Sequence, residues 1–476
     1  MPSCWLGSGW CSVDRSKTGA ALGPLSQLVW LDCRNGDVSP TCDQGDAMAV
    51  ASNLCRIVIT GVGTVAPIGV GKDAFWKSLL SGQSGIGHLH AIPPEGFPSK
   101  LAAEVQDFDP QLIYCRKALK VMSRDTALGV AAASLAMKDA GLSNGVIDPE
   151  RLGVSYGCGR ISSTPDDLFQ AAASSLNEKH RFEFERFGEE ALDKIAPLWF
   201  IKKLPNMPAC HISIEHDARG PNNTITSRDA SGLQALAEGM NVILRDAADV
   251  MIVGACSSNI HPVDITKFHL FESLTRREDD PQAACRPFDV TRDGTVVGEG
   301  GAAFVIETLD HALRRGAPIY AEVLAVGQGC DGTGWHNGSG GRGVARAVQA
   351  AVRKAGIEPT DIGHINAHGK STQRDDLVEA RGYHWGLGDA ARRIPVTAMK
   401  SYFGNCDAGA GAVELAGSVL ALKHGVLPST LNYRIPDPRC QLNVVHGDPI
   451  ELRNFTAMSV NRTSMGQSVA AIIRAV

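Results

Sequence analysis

No run of apolar residues in this 476-residue sequence approaches the ~18–20 needed to cross a bilayer, so no membrane span is expected. A basic surplus is missing too. The 46 Lys and Arg against 51 Asp and Glu leave a formal charge of -5, which argues against a nucleic-acid binder, because phosphate contacts draw on an excess of cations. The 13 cysteines are odd in number and scattered, with no CxxC pair and no Cys/His cluster of zinc spacing. Free thiols in a reducing cytoplasm are therefore expected, and no metal site. Residues 1–54 carry Cys4, Cys11, Cys33 and Cys42 but have no helical or strand period. They also lack the basic start, long apolar run and small-residue cleavage site of a signal peptide. A disordered extension or an over-long start is expected there, with folded structure beginning near Cys55.

What remains is a chain able to bury a large core, 44% hydrophobic and 20% charged, with 51 glycines and 24 prolines for tight turns. Short β-branched runs predict strands at 56–60, 152–156, 250–253, 302–307, 320–326, 364–367 and 470–474. Apolar residues at three- and four-residue spacing predict helices at 123–140, 232–244, 343–355 and 410–424. This alternation is that of a layered α/β fold. The segments Arg56-Ile-Val-Ile-Thr-Gly-Val-Gly63 and Tyr320-Ala-Glu-Val-Leu-Ala-Val-Gly327 open two similar halves, 55–310 and 311–476. Each is followed by a loop, a helix ending in Ala-Gly and another strand. An internal duplication follows, with a five-layered α-β-α-β-α body.

Gly61-Val-Gly63-Thr-Val-Ala66 matches a dinucleotide-binding fingerprint. The fingerprint requires a helix at once, and Pro67 and Gly69 interrupt it; the region where a ribose-binding carboxylate should end a second strand is the loop 82–90. The segment reads instead as a tight turn between strand and loop.

Four segments carry a more specific likeness. They are Ala283-Ala-Cys-Arg-Pro-Phe-Asp-Val-Thr-Arg-Asp-Gly-Thr-Val-Val-Gly-Glu-Gly-Gly301, Asn366-Ala-His-Gly-Lys-Ser-Thr372, Met399-Lys-Ser-Tyr-Phe-Gly-Asn405 with Gly409-Ala-Gly-Ala-Val-Glu414, and Arg219-Gly-Pro-Asn-Asn-Thr-Ile-Thr-Ser-Arg-Asp-Ala-Ser-Gly232. In order and spacing, over roughly residues 56–476, the chain resembles the β-ketoacyl-[acyl-carrier-protein] synthase II family, the thiolase-like condensing enzymes. The resemblance implies a thiolase-like fold, acyltransferase chemistry in fatty acid or polyketide biosynthesis, and dimers. No permanently bound cofactor is implied; the substrates are phosphopantetheine-linked acyl or malonyl groups on an acyl carrier protein.

The family's chemistry uses a cysteine at a helix N-terminus to accept the acyl chain. Two histidines hold the malonyl thioester for decarboxylation, beside a lysine. By resemblance the cysteine position falls on Asp229, the first histidine on His368, the lysine on Lys400 and the second histidine on Asn405. A carboxylate is a poor acyl carrier, since an acyl-aspartate is a mixed anhydride. Asp229 is thus expected to be a helix cap left after the thiol was lost, or a group doing electrostatic work in decarboxylation. Asn405 can donate a hydrogen bond but cannot carry a proton. Lys400 needs a partner, with Asp229 and Glu414 as candidates.

Other positions depart as well. Lys370 replaces a threonine of the phosphopantetheine channel, while Thr372 is kept. Thr463 and Met465, in Asn461-Arg-Thr-Ser-Met-Gly-Gln467, replace aromatics of the acyl gate. Arg160 stands where an isoleucine lines the acyl pocket. Arg160, Arg228 or Arg462 is expected to pair with Asp229. Cys406 and Cys158 are rival nucleophiles, but neither opens a helix in the elbow pattern. Lys194, Lys202 and Lys203 are candidates for docking an acidic carrier, and Glu272 lies where the family often has arginine. Three functions follow: a non-elongating partner of an active ketosynthase, like chain-length factors; an altered enzyme, either a malonyl-carrier decarboxylase or a hydrolase; and a condensing enzyme with another nucleophile.

Overall fold

The computed structural model describes residues 55–106, 108–110, 116–163, 165–332 and 340–476, and the expectation for 1–54 lies outside them. The first half runs β1 (Ile57–Ala66), α1 (Arg124–Asp139), β2 (Leu152–Cys158), α2 (Met207–His216), β3 (Asn222–Ile225), α3 (Ser231–Leu244), β4 (Val250–Ser258) and β5 (Val297–Thr308). The second half repeats that order. It runs β6 (Ala321–Cys330), α4 (Arg342–Ala355), β7 (His364–Asn366), α5 (Gln373–Leu387), β8 (Pro395–Thr397), α6 (Ala410–His424), β9 (Thr456–Arg462) and β10 (Gln467–Arg474).

Pairing repeats as faithfully as order. The strands align as β3-β2-β4-β5-β1 in one half and β8-β7-β9-β10-β6 in the other. In each, the two pairs farthest from the junction are parallel and the two nearest it antiparallel. The half-sheets meet where Ile57–Ile59 of β1 pairs with Ala321–Val323 of β6. Helices α3 and α6 pack against each other and against both half-sheets, whereas α1 with α2 and α4 with α5 cover the outer faces. Three cores result. The middle one joins Leu233 and Leu236 to Val413, Ala416, Phe304 and Ile473; the outer ones centre on Leu128 with Val154 and on Val348 with Ile365. This is the expected α-β-α-β-α body. Helix α6 is buried from Ala410 to Leu422, so it is apolar all round rather than striped.

The glycine pair that imitates a nucleotide fingerprint is not a turn. Gly61 and Gly63 lie within β1, under α1. A Cβ on Gly63 would come within 2.0 Å of the Ala132 carbonyl oxygen. Gly327 and Gly329 of β6 lie in the same way under α4, where a Cβ on Gly327 would come within 2.1 Å of the Ala347 carbonyl. Both pairs exist so that a helix backbone can rest on a strand. Gly63→Ala and Gly327→Ala are each expected to cost about 1–3 kcal/mol of stability through overpacking, read as a lower urea midpoint. A variant as stable as the parent would contradict this packing.

Candidate active site

The site forms where the carboxyl ends of the parallel strands meet, as open α/β sheets arrange their ligands. His368 follows β7; its backbone N–H and that of Gly369 donate to the Glu379 carboxylate at 2.7 and 2.8 Å, which fixes the loop. Lys400 opens the short helix Lys400–Phe403 after β8. Asn405 is pinned to the start of β5, its N–H donating to Val296 O at 2.8 Å and its carbonyl accepting from Gly298 N at 2.9 Å. Asp229 sits in a 3-10 turn, Arg228–Ala230, that leads into α3. Arg228 itself takes a left-handed conformation, φ 50°, a strained elbow of the sort that persists at functional sites.

Buried beside each other are one imidazole, one ammonium and their partners. The Lys400 ammonium donates to Glu414 Oε1 and to His368 Nδ1, the latter at 3.1 Å. Asn461 Nδ2 donates to Glu414 Oε2 at 2.6 Å and lies 3.4 Å from His368 Nδ1. With two donors facing Nδ1, that nitrogen is the acceptor and the ring proton sits on Nε2. Burial and the nearby cations Lys400, Lys370 and Arg462 hold the imidazole well below its usual 6.5, so it is neutral. Its Nε2 is buried and meets no acceptor among the described residues. Asn405 is poised in the same way: Oδ1 accepts from Asp407 N at 3.1 Å, which turns Nδ2 the other way, also without an acceptor. Two N–H donors thus stand unused in one buried cluster, the equipment for stabilising an oxyanion.

Asp229 is fully buried, and neither carboxylate oxygen accepts a hydrogen bond from another described residue. The expectation that it caps the helix is overturned: α3 begins after Ala230, with no side-chain cap. Nor does an arginine pair with it. Arg228 turns its Nε to Asp407 Oδ1 at 3.1 Å and its Nη1 to Glu272 Oε1 at 3.3 Å. Arg462, at the end of β9, pairs with Asp375 of α5. Arg160 is exposed beyond β2 rather than facing a pocket; Gly159 is the residue there that touches the site, its Cβ position lying 3.2 Å from Asp407 Oδ2. What acts on Asp229 is the field. Burial pushes its carboxyl up, but Lys370, Arg228 and Lys400 together outweigh burial and hold it below its ordinary value, so it is an anion.

The remaining expected residues fall into place around these. Glu414, not Asp229, partners Lys400. Lys370 is buried, its Nζ 2.9 Å from Glu272 Oε2. Thr372 caps α5, accepting from Asp375 N at 2.9 Å. Thr463 is buried in the β9–β10 turn, whereas Met465 is 56% exposed at its tip. Lys203 is engaged by Asp167 at 2.9 Å and by the Ser162 carbonyl. Cys158 and Cys406 are fully buried with their thiols pushed up, Cys158 first by its hydrogen bond to Cys256 and Cys406 first by burial, so neither is a thiolate nucleophile. The described cysteines are all free, no cluster of metal-ligating residues occurs among the described residues, and none of their helices is long and apolar enough to cross a membrane.

Sequence reasoning missed the roles of Glu272, Asp407 and Asn461. Asp407 and Asn461 lay in or beside the quoted motifs, and their neighbourhood was the only signal. Glu272 lies where the family often has arginine, and its side chain is buried against Lys370 and Arg228.

Long-range nitrogen–proton NMR on histidine-labelled protein is expected to show His368 still neutral and protonated at Nε2 at pH 6.5, the ordinary imidazole midpoint. A midpoint near the ordinary value, or a proton on Nδ1, would contradict the arrangement.

Comparison with known proteins agrees with this geometry. Residues 55–312 match the family described as Beta-ketoacyl synthase, N-terminal domain, and residues 320–434 match Beta-ketoacyl synthase, C-terminal domain. The actinorhodin polyketide putative beta-ketoacyl synthase 1 of Streptomyces coelicolor is 36% identical over 417 residues, 86% of this chain and 86% of that protein. The 3-oxoacyl-[acyl-carrier-protein] synthase 2 of Coxiella burnetii is 34% identical over 407 residues, 85% of this chain and 94% of that protein. Among solved structures, the ishigamide ketosynthase/chain length factor superposes with TM-score 0.78 at 28% identity, covering 89% of this chain and 99% of that one. A type II ketosynthase solved with its acyl-carrier protein gives TM-score 0.77 at 29% identity, again over 89% and 99%. With both family models matched and curated relatives similar over most of its length, the chain belongs to the beta-ketoacyl synthase family.

Proposed function

We propose that this member of the fatty acid and polyketide ketosynthase family neither carries nor lengthens an acyl chain. The observation that carries the reading is Asp229, a buried carboxylate kept ionised by Lys370, Arg228 and Lys400 at the acyl-acceptor position. An anion stabilised in this way is a weak nucleophile, and its acyl product would be an anhydride rather than a thioester. The chain then serves as a partner for an active ketosynthase, in the manner of a chain-length factor, with an acyl carrier protein shared between them. An exposed edge strand, β3, and exposed Phe169, Phe184 and Phe200 give it surface that a partner subunit would cover. Incubated alone with acyl carrier and malonyl carrier, the protein is expected to form no 3-oxoacyl product. Formation of that product would overturn the reading.

A second reading is favoured by the two unused donors. His368 Nε2 and Asn405 Nδ2 are suited to hold a thioester carbonyl while carbon dioxide leaves a malonyl group, a step that needs no acyl acceptor. On this reading malonyl carrier releases carbon dioxide without condensation, and Asn405→Ala lowers the rate by about 10²-fold. No release above the protein-free rate would remove it.

A further inference from the structure

The outer layer of the second half carries unmatched positive charge. Helix α4, Arg342-Gly-Val-Ala-Arg-Ala-Val-Gln-Ala-Ala-Val-Arg-Lys-Ala355, contains no acidic residue. Its buried positions, Val344, Ala347, Val348 and Ala351, face the sheet. At 3.6 residues per turn, Arg342, Arg346, Gln349 and Arg353 fall in one exposed stripe on the opposite side. The stripe spans about 16 Å of helix. Helix α5 packs against α4 so closely that a Cβ on Gly382 would come within 2.4 Å of Val344 Cβ, and Gln349 Nε2 donates to the Trp385 carbonyl at 3.1 Å. The acids of α5 turn inward: Asp375 to Arg462, Asp376 to Phe288 N and Glu379 to the histidine loop. What α5 exposes is Gln373, Arg374, Arg381 and Trp385.

None of Arg342, Arg346, Arg353 and Arg381 meets a carboxylate among the described residues; Arg346 donates to the Cys330 carbonyl at 2.9 Å. Other exposed arginines are matched to acids, as Arg56 and Arg474 are to Glu322 and Arg245 is to Glu238. The stripe also works against its own helix. Arg342 opens α4, where the dipole disfavours a cation, and it repels Arg346 one turn on.

We propose that this arginine stripe is a docking surface for an acidic helix of a partner protein. Guanidinium forks suit carboxylates bidentately, and a facing helix with glutamates at the same spacing matches the stripe along its length. A helix-sized ligand is favoured over an extended polyanion, because a membrane or a nucleic acid also meets the net charge of -5 that the chain carries as a whole. Helix α4 rests on β6 and β10, several strands away from the exposed edge β3, so this contact is additional to the one in the proposed function.

The test is fluorescence anisotropy of the full chain with a labelled helical peptide of about 18 residues, long enough to hold its helix, with glutamates in one stripe. A second peptide has glutamine at those positions. The glutamate peptide is expected to bind and the glutamine peptide not to, with the affinity falling as salt rises. Arg342→Glu/Arg346→Glu/Arg353→Glu is expected to weaken binding about tenfold or more, and Arg342→Gln/Arg346→Gln/Arg353→Gln to weaken it less. Lys194→Glu/Lys202→Glu, on the first half, leaves binding unchanged. Should the charge-reversed variant fail to fold, judged by its thermal transition, the glutamine variant decides. Two peptides that behave alike, bound or not, or a folded stripe variant that binds as tightly as the parent, overturns the proposal. Uptake onto phosphatidylglycerol vesicles in place of the peptide overturns it too and makes the face a membrane surface. Neither result bears on the proposed function, which is read on the unsubstituted protein by product formation.

Discussion

A buried anion surrounded by cations that do not touch it organises this site. Asp229 is fully buried with no hydrogen-bond donor from another described residue, and the cations Lys370, Arg228 and Lys400 hold its carboxyl below its ordinary value against burial. Each of those cations is bound directly to a carboxylate other than Asp229: Lys370 to Glu272, Arg228 to Glu272 and Asp407, Lys400 to Glu414. Isolated ions at such depth would cost far more than a domain's whole stability, so charges of opposite sign must be assembled as a set. A carboxylate at position 229 is therefore tolerable only with its charged neighbours. Lys370 and Glu272 form part of the same assembly as Asp229.

Beneath that assembly lies a hydrogen-bonded set of groups around His368. Lys400 and Asn461 fix the His368 tautomer, Glu414 holds both, and the backbone of Asp407 orients the Asn405 amide. The site thus divides into two parts. One part offers neutral N–H donors; the other is a cluster of buried charges of both signs around Asp229.

Much of the architecture was legible in the sequence. Long strands such as β4 and β5 and the helices α1, α3, α4 and α6 declare themselves through sustained apolar pattern, and α6 matches its expected bounds. The short strands β3 and β8 are four and three residues long, too brief for periodicity to speak, and β3 is half exposed. The glycine pairs were visible but misread, because a strand pressed against a helix backbone and a turn ask for the same residue. Within the site, His368 and Lys400, singled out by motif, meet through a 3.1 Å hydrogen bond, and Asn405 is buried as well. Errors came from direction rather than position. Every residue of β2 is buried, so alternation gives no hint that Arg160 turns to solvent. Glu272 meets Lys370 and Arg228 only through folding, since the three lie far apart in the chain.

The account stands on the claim that no acyl group is ever carried at position 229. Intact-mass analysis of the purified chain after incubation with an acyl-carrier thioester addresses it directly. An unchanged polypeptide mass is the result expected. A covalent acyl adduct, mapped by peptide analysis to Asp229 or to any other residue and discharged on adding malonyl carrier, would contradict it.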